Sequence, residues 1–163
     1  MTLDVPQLAY AAALVDTLAV LSLREVNGTQ LPNVAINARH SDALSWLGEM
    51  TGTRLSTITR DYHRGACAAH CPDAHVHIVS TSGRWVVTGV KATITLHNLL
   101  PFLRVQRVAA IDLVTAGQTI GWKGHVVEQM RAAGWSIPEL RPQPRSRVTS
   151  SGAPAGADVA SSF

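Results

Sequence analysis

Long hydrophobic runs are missing from this sequence. No apolar stretch reaches the roughly 18 residues that a bilayer span needs. The longest candidate, Leu8 to Leu23, is interrupted by Asp16, Thr17 and Ser22. No basic segment precedes an apolar one at the N-terminus, so a secretory signal is not expected and a cytoplasmic location is the default. Charge is sparse too, at 15% of residues, and aromatics make up 5%. Against this, 46% of the 163 residues are apolar, which excludes a disordered chain and is enough for one domain with a core of its own.

The net charge of +3 is a weak pointer to nucleic acid. Arg141, Arg145 and Arg147 against Asp158 contribute +2 of it, so the preceding 140 residues carry only +1. Arginine outnumbers lysine 12 to 2, and arginine is the better group for paired hydrogen bonds to phosphate or guanine. A GC-rich genome would give the same bias. From Pro142 to Phe163 the chain is Pro, Ser, Gly and Ala without a periodic apolar face, the composition of a flexible tail. The expected organisation is one domain over 1–140, with a Cys/His insertion at 63–77, and a tail over 141–163.

The body reads as mixed helix and strand. Pro6 to Leu18 is rich in Ala and Leu and predicts a helix. Val20 to Val26 alternates as a strand, Asn27-Gly28 signals a turn, and Asn33 to Ala38 alternates again. Pro32 is expected to delay the return strand and lengthen the loop. Ser41 is placed to cap a helix whose Ala43, Trp46, Leu47 and Met50 form one apolar stripe ending at Gly52. Leu55 to Tyr62 and His77 to Thr88 are the third and fourth strands, the latter with a possible break at Ser82-Gly83. Val90 to Leu99 is helical, Pro101 opens a helix running to about Ala116, and Trp122 to Ala133 forms another. The fold class is therefore α+β: a four-stranded antiparallel sheet, helices on one face, and an open polar face opposite. Trp46, Trp85 and Phe102 are assigned to the core, and His97 and Asn98 to hydrogen-bonded structural roles.

Between Ala9 and Ala19 the sequence runs AYAAALVDTLA, followed by the strand Val20-Leu21-Ser22-Leu23. This stretch resembles the LAGLIDADG homing endonuclease family, with Ala12, Leu14 and Asp16 identical to the name motif. The element order matches that family's αββαββα core with extra C-terminal helices. Ser82-Gly83-Arg84-Trp85 through Leu103-Arg104 looks like the second half of phage and actinobacterial members. The resemblance covers roughly residues 6 to 116. It implies a motif helix that pairs with a second copy through Ala11, Ala12, Leu14 and Val15, making the single-motif chain a homodimer. It also implies double-stranded DNA on the open sheet, touched by Arg24, Asn33, Asn37, Arg60 and Arg84, with Ser22 beside them. The family's metal-binding acid falls on Leu18 here and its terminal glycine on Ala19. Leu18 has no oxygen to hold Mg²⁺. Asp16 lies about 200° around the helix from Leu18, so it is at most a weak catalytic candidate. The expected function is a catalytically inactive, homodimeric DNA-binding protein with a regulatory or accessory role. The alternatives are an active endonuclease or nickase using Asp16 or Asp61 with Mg²⁺, and a phage interaction module that binds a host protein.

Both cysteines and four of the seven histidines fall between His63 and His77. Cys67, Cys71, His75 and His77 supply the two sulfurs and two nitrogens that suit tetrahedral, structural Zn²⁺. His63 and His70 are possible substitutes. A disulfide, free thiols and a proton shuttle are the competing readings.

Overall fold

The computed structural model describes residues 2–39, 42–64 and 76–139, with side chains left out at 60–64 and 76–80. The element order is α1 (Val5–Leu18), β1 (Ala19–Val26), β2 (Thr29–Ala38), α2 (Asp42–Thr51), β3 (Ser56–Arg64), β4 (Val76–Thr88), α3 (Val90–Leu99), α4 (Arg107–Gly117) and α5 (Gly124–Ala132). The four strands form one antiparallel sheet in the order β1-β2-β4-β3. Among the described residues no helix is long and apolar enough to cross a membrane.

Local chemistry sets the first elements. Asp4 and Gln7 form a capping box: the Asp4 carboxylate accepts from the Gln7 N–H at 2.8 Å, and the Gln7 amide oxygen accepts from the Asp4 N–H at 3.1 Å. α1 then passes into β1 without a loop. β1 and β2 are joined by Asn27 and Gly28 alone, at φ 51° and 75°, the two left-handed positions a tight hairpin turn requires. The long loop expected from Pro32 is therefore absent. The Pro32 carbonyl accepts from Gly89 N–H at 2.7 Å, so the ring nitrogen faces the end of β4 and takes no donor from the β1 ladder.

Side chains alternate across the sheet. Leu21, Val34, Ile36, Trp85 and Val87 face the helices, and the last four are essentially sealed from solvent. α3 lies at the centre of the helical layer, with buried Ala92, Thr93, Ile94, Thr95, Leu96 and Leu99. Trp85 donates its indole N–H to the Thr51 hydroxyl at 3.1 Å, and that hydroxyl donates to Leu47 O at 2.7 Å, so these two buried polar groups are matched, whereas the buried Thr95 hydroxyl has no hydrogen-bond partner among the described residues. Gly117 meets Thr93 so closely that any side chain there would overlap it, which sets the α3–α4 crossing.

Four further expectations are corrected. The α2 stripe is turned: Leu44, Leu47, Gly48 and Thr51 are buried, while Ala43, Trp46 and Met50 form its half-buried border. The Ser41 cap lies outside the described residues. β4 has no break at Ser82-Gly83, because Gly83 pairs with both Ala38 and Thr57, with Leu44 packed beside it. Pro101 does not open α4, which begins only at Arg107; Asp16 occupies the intervening backbone donors, as described below. The last helix starts at Gly124, leaving Trp122 outside it with its indole N–H on Gly117 O at 2.9 Å.

Candidate nucleic-acid interface

The sheet face turned away from the helices is built by register. Ser22 pairs with Asn33 and Asn33 with Thr88; Asn37 pairs with Arg84 and Arg84 with Ser56. Arg24 stands opposite Leu31. The expected contact residues Arg24, Asn33, Asn37 and Arg84 thus share one face, with Ser22 among them. Arg60 pairs with Ser80 in the ladder, but its side chain lies outside the described residues. Arg24, Asn37 and Arg84 are exposed. Asn33 donates to the Ser22 hydroxyl at 3.1 Å, which uses one of its amide hydrogens and holds its side chain in place.

Among the described residues this face carries no acid. Glu25 belongs to the opposite parity of β1, paired with Gln30. At the hairpin end of the face a cavity of about 600 Å³ is lined by Val26, Thr29, Leu31 and Thr88 together with Lys91 and Lys123, and none of its lining residues is acidic. The chain's two lysines therefore flank the end of the same surface. Lys91 donates to Gly52 O at 2.8 Å, and partial burial pushes its ammonium down from the ordinary lysine value. Periodicity gave no sign of this lysine pair, because Lys91 and Lys123 come to line one cavity only through the return of the chain after α4.

Asp16 has both carboxylate oxygens engaged. One accepts from Arg104 N–H at 2.6 Å and the other from Gln106 N–H at 2.9 Å. Burial raises its pKa, but the N–H groups of Arg104, Gln106 and Val105 and the nearby Arg104 charge outweigh it, so the carboxyl lies below its ordinary 3.8. Gln106 in turn donates to Val15 O at 2.8 Å and Ala19 O at 2.9 Å, closing the end of α1. This is the chemistry of a structural tether.

α1 exposes a face that differs from the one expected to pair. Ala11, Ala12 and Val15 are enclosed by the chain's own core, and Leu14 is half-buried against it. Packing on α3 and the sheet uses these small and branched residues, so they are closed to a second copy. The exposed side carries Pro6, Ala9, Tyr10, Ala13 and Thr17, with no charge. The Thr17 hydroxyl is satisfied by Ala13 O at 2.7 Å. Tyr10 leans on Trp46, ring centres 5.3 Å apart. Leu18, where the resemblance places a metal ligand, is the last residue of α1 and 46% exposed.

Cys67, Cys71 and His75 lie outside the described residues, as does the side chain of His77, whose backbone pairs with His63 across β4 and β3. Among the described residues no group of three or more His, Cys, Asp or Glu could hold a metal ion. The side chain of Asp61 is likewise not described.

No family model matches the chain, and no curated protein matches it. Among solved structures it is similar to the homing endonuclease I-CvuI in complex with its target (Sro1.3) in the presence of 2 mM Ca, at 14% identity over 81% of this chain and 97% of that one, with a TM-score of 0.44. It is also similar to I-CvuI in complex with the I-CreI target (C1221) in 2 mM Mg, where the DNA is not cleaved, at 15% identity over the same 81% and 97%, with a TM-score of 0.40. Neither likeness assigns a role to any residue of this chain.

Proposed function

We propose that this chain binds double-stranded DNA across the open face of its sheet, as a homodimer paired through the exposed side of α1, and that it does not cut what it binds. The carrying observation is the face, free of acids among the described residues, that gathers Ser22, Arg24, Asn33, Asn37 and Arg84 in adjacent rows. Arginine and asparagine are the side chains whose paired donors and acceptors match guanine and adenine edges in the major groove. Lys91 and Lys123 at the end of the face suit flanking phosphates. Pairing through Ala9, Tyr10, Ala13 and Thr17 would cover an uncharged helix side and place two such faces next to each other. The absence of cutting rests on Leu18 at the motif's acid position and on the engagement of both Asp16 oxygens by backbone. A regulatory or accessory role is the use such a protein would have.

One observation favours a second reading. Val105, just before α4, and Val108 and Ile111 on α4 are 81%, 73% and 45% exposed. Such a patch suits a protein partner.

The test is selection from a random duplex library in the presence of Mg²⁺. Retention of duplex with a steep loss of affinity on adding salt, and no cut product, is the expected result. Reproducible cutting abolished by Asp16→Asn would restore the endonuclease reading. Failure to retain any duplex would leave the protein-partner reading.

A further inference from the structure

Besides single apolar residues such as Leu31 and Ile58, the open face of the sheet among the described residues carries an apolar row that runs across three strands. Val20 pairs with Ala35, and Ala35 with Val86, so three adjacent strands each contribute an apolar side chain at the same level. On one side of this row stand Ser22, Asn33 and Thr88, and on the other Asn37, Arg84 and Ser56. Val20 is 62% exposed and Val86 half-buried, while Ala35 between them is only 8% exposed. Neighbouring strands lie about 4.8 Å apart, so the two valines stand about 10 Å from one another with a single methyl group as the floor between them. The result is a shallow notch, one methyl deep, flanked by hydrogen-bonding rows.

An apolar notch inside a largely polar face, free of acids among the described residues, constrains what can rest there. Base-edge donors and acceptors pressed onto it would lose water and gain no partner. The major groove offers one apolar group at its base edges, the C5-methyl of thymine. Resting on the proposed binding of duplex DNA by this face, we infer that the Val20–Ala35–Val86 notch reads thymine methyl groups. At a rise of about 3.4 Å per base pair, a row of about 10 Å faces about three consecutive pairs. Ser22, Asn33, Asn37 and Arg84 then read the polar edges on either side.

The experiment uses the full chain and the duplex it selects from a random library. Affinity is measured by fluorescence anisotropy for that duplex and for the same sequence with uracil replacing every thymine, which removes only the methyl groups. Binding weaker by about fourfold for each methyl met is expected in the uracil duplex. Val20→Ser, at an exposed position that cannot disturb the core, should shrink that ratio. Ala35→Leu, which fills the notch, should bring it to one while salt-dependent binding persists. Equal binding of the two duplexes by the unaltered chain overturns the inference and leaves DNA binding intact. A change in oligomeric state on Val20→Ser with the ratio unchanged overturns it in favour of a protomer contact. Absence of binding to any duplex overturns the DNA reading and this inference with it.

Discussion

Asp16 and Gln106 lock the end of α1 to the segment that leads into α4. The carboxylate of Asp16, near the end of α1, accepts from the N–H groups of Arg104 and Gln106, and the Gln106 side-chain amide donates to Val15 O and Ala19 O at the junction of α1 and β1. The two residues are 90 positions apart in the chain. Buried or constrained backbone groups require partners, and here each side chain supplies those of the other's segment. Asp16→Ala and Gln106→Ala should each lower the unfolding free energy by about 1–2 kcal/mol. The double variant should lose less than the sum, because the two side chains secure one junction. Urea denaturation of the four proteins measures this.

The tether also has a pH signature. The folded carboxyl of Asp16 sits below 3.8, since backbone donors and the Arg104 charge outweigh the burial that raises it. A depressed folded pKa gives stability that is complete above the unfolded value and is lost as the pH falls through the folded one. The stability difference between the native chain and Asp16→Asn should therefore be constant from pH 7 to about 5 and shrink below about 4. A difference that grows on acidification would contradict the assigned hydrogen bonds.

Duplex binding should depend on the sheet residues and not on the helical layer. Arg24→Ala and Arg84→Ala are each expected to weaken binding about tenfold, the scale of one paired base contact. A phosphate role for either residue would show as a salt slope reduced by about one with no change in preferred sequence. Thr115→Ala, exposed on α4, should change nothing. Anisotropy titrations at several salt concentrations separate these outcomes.

Oligomeric state is read directly by light scattering. The chain is expected to be a dimer at micromolar concentration, and Ala13→Glu to be a monomer with an unchanged circular dichroism spectrum. Ala13 is exposed and mid-helix, so glutamate costs the fold little while placing two like charges at the pairing surface. A monomeric native chain would remove pairing from the proposal.

The Cys/His segment makes its own prediction. If Cys67, Cys71, His75 and His77 hold structural zinc, protein purified without chelator should contain about one equivalent per chain. Cys67→Ser combined with Cys71→Ser should abolish it. Less than about one equivalent per three chains would count against the site.

Much of the fold is written locally. Asn27-Gly28 specifies a two-residue turn, the alternation from Val20 onward specifies a strand, and Val90 to Leu99 has the observed helix bounds, because each signal acts within a few residues. What local patterning cannot supply is which side of an element faces inward. The small residues of α1 suggest a surface for a second copy, yet α3 and the sheet already fill Ala11, Ala12 and Val15. In α2 the stripe is wide enough to be turned either way, and Leu44, which packs beside Gly83, takes the inward side. Pro32 does not disrupt the hairpin, because its nitrogen faces the end of β4. On the site, alternation alone brought Arg24, Asn33, Asn37 and Arg84 to one face. The lysine pair and the Asp16–Gln106 junction depend on the return of distant parts of the chain and have no short-range trace.

The meeting of Gly117 and Thr93 has a consequence for how this sequence can drift. Any residue larger than glycine at 117 overlaps the side chain of Thr93, its hydroxyl first. A lineage that gains a side chain there must shorten residue 93 or respace two helices that together roof the sheet. The two positions are thus bound to a shared evolutionary fate, and substitution at 117 should mark descendants changed at 93 or in the spacing of their helical roof.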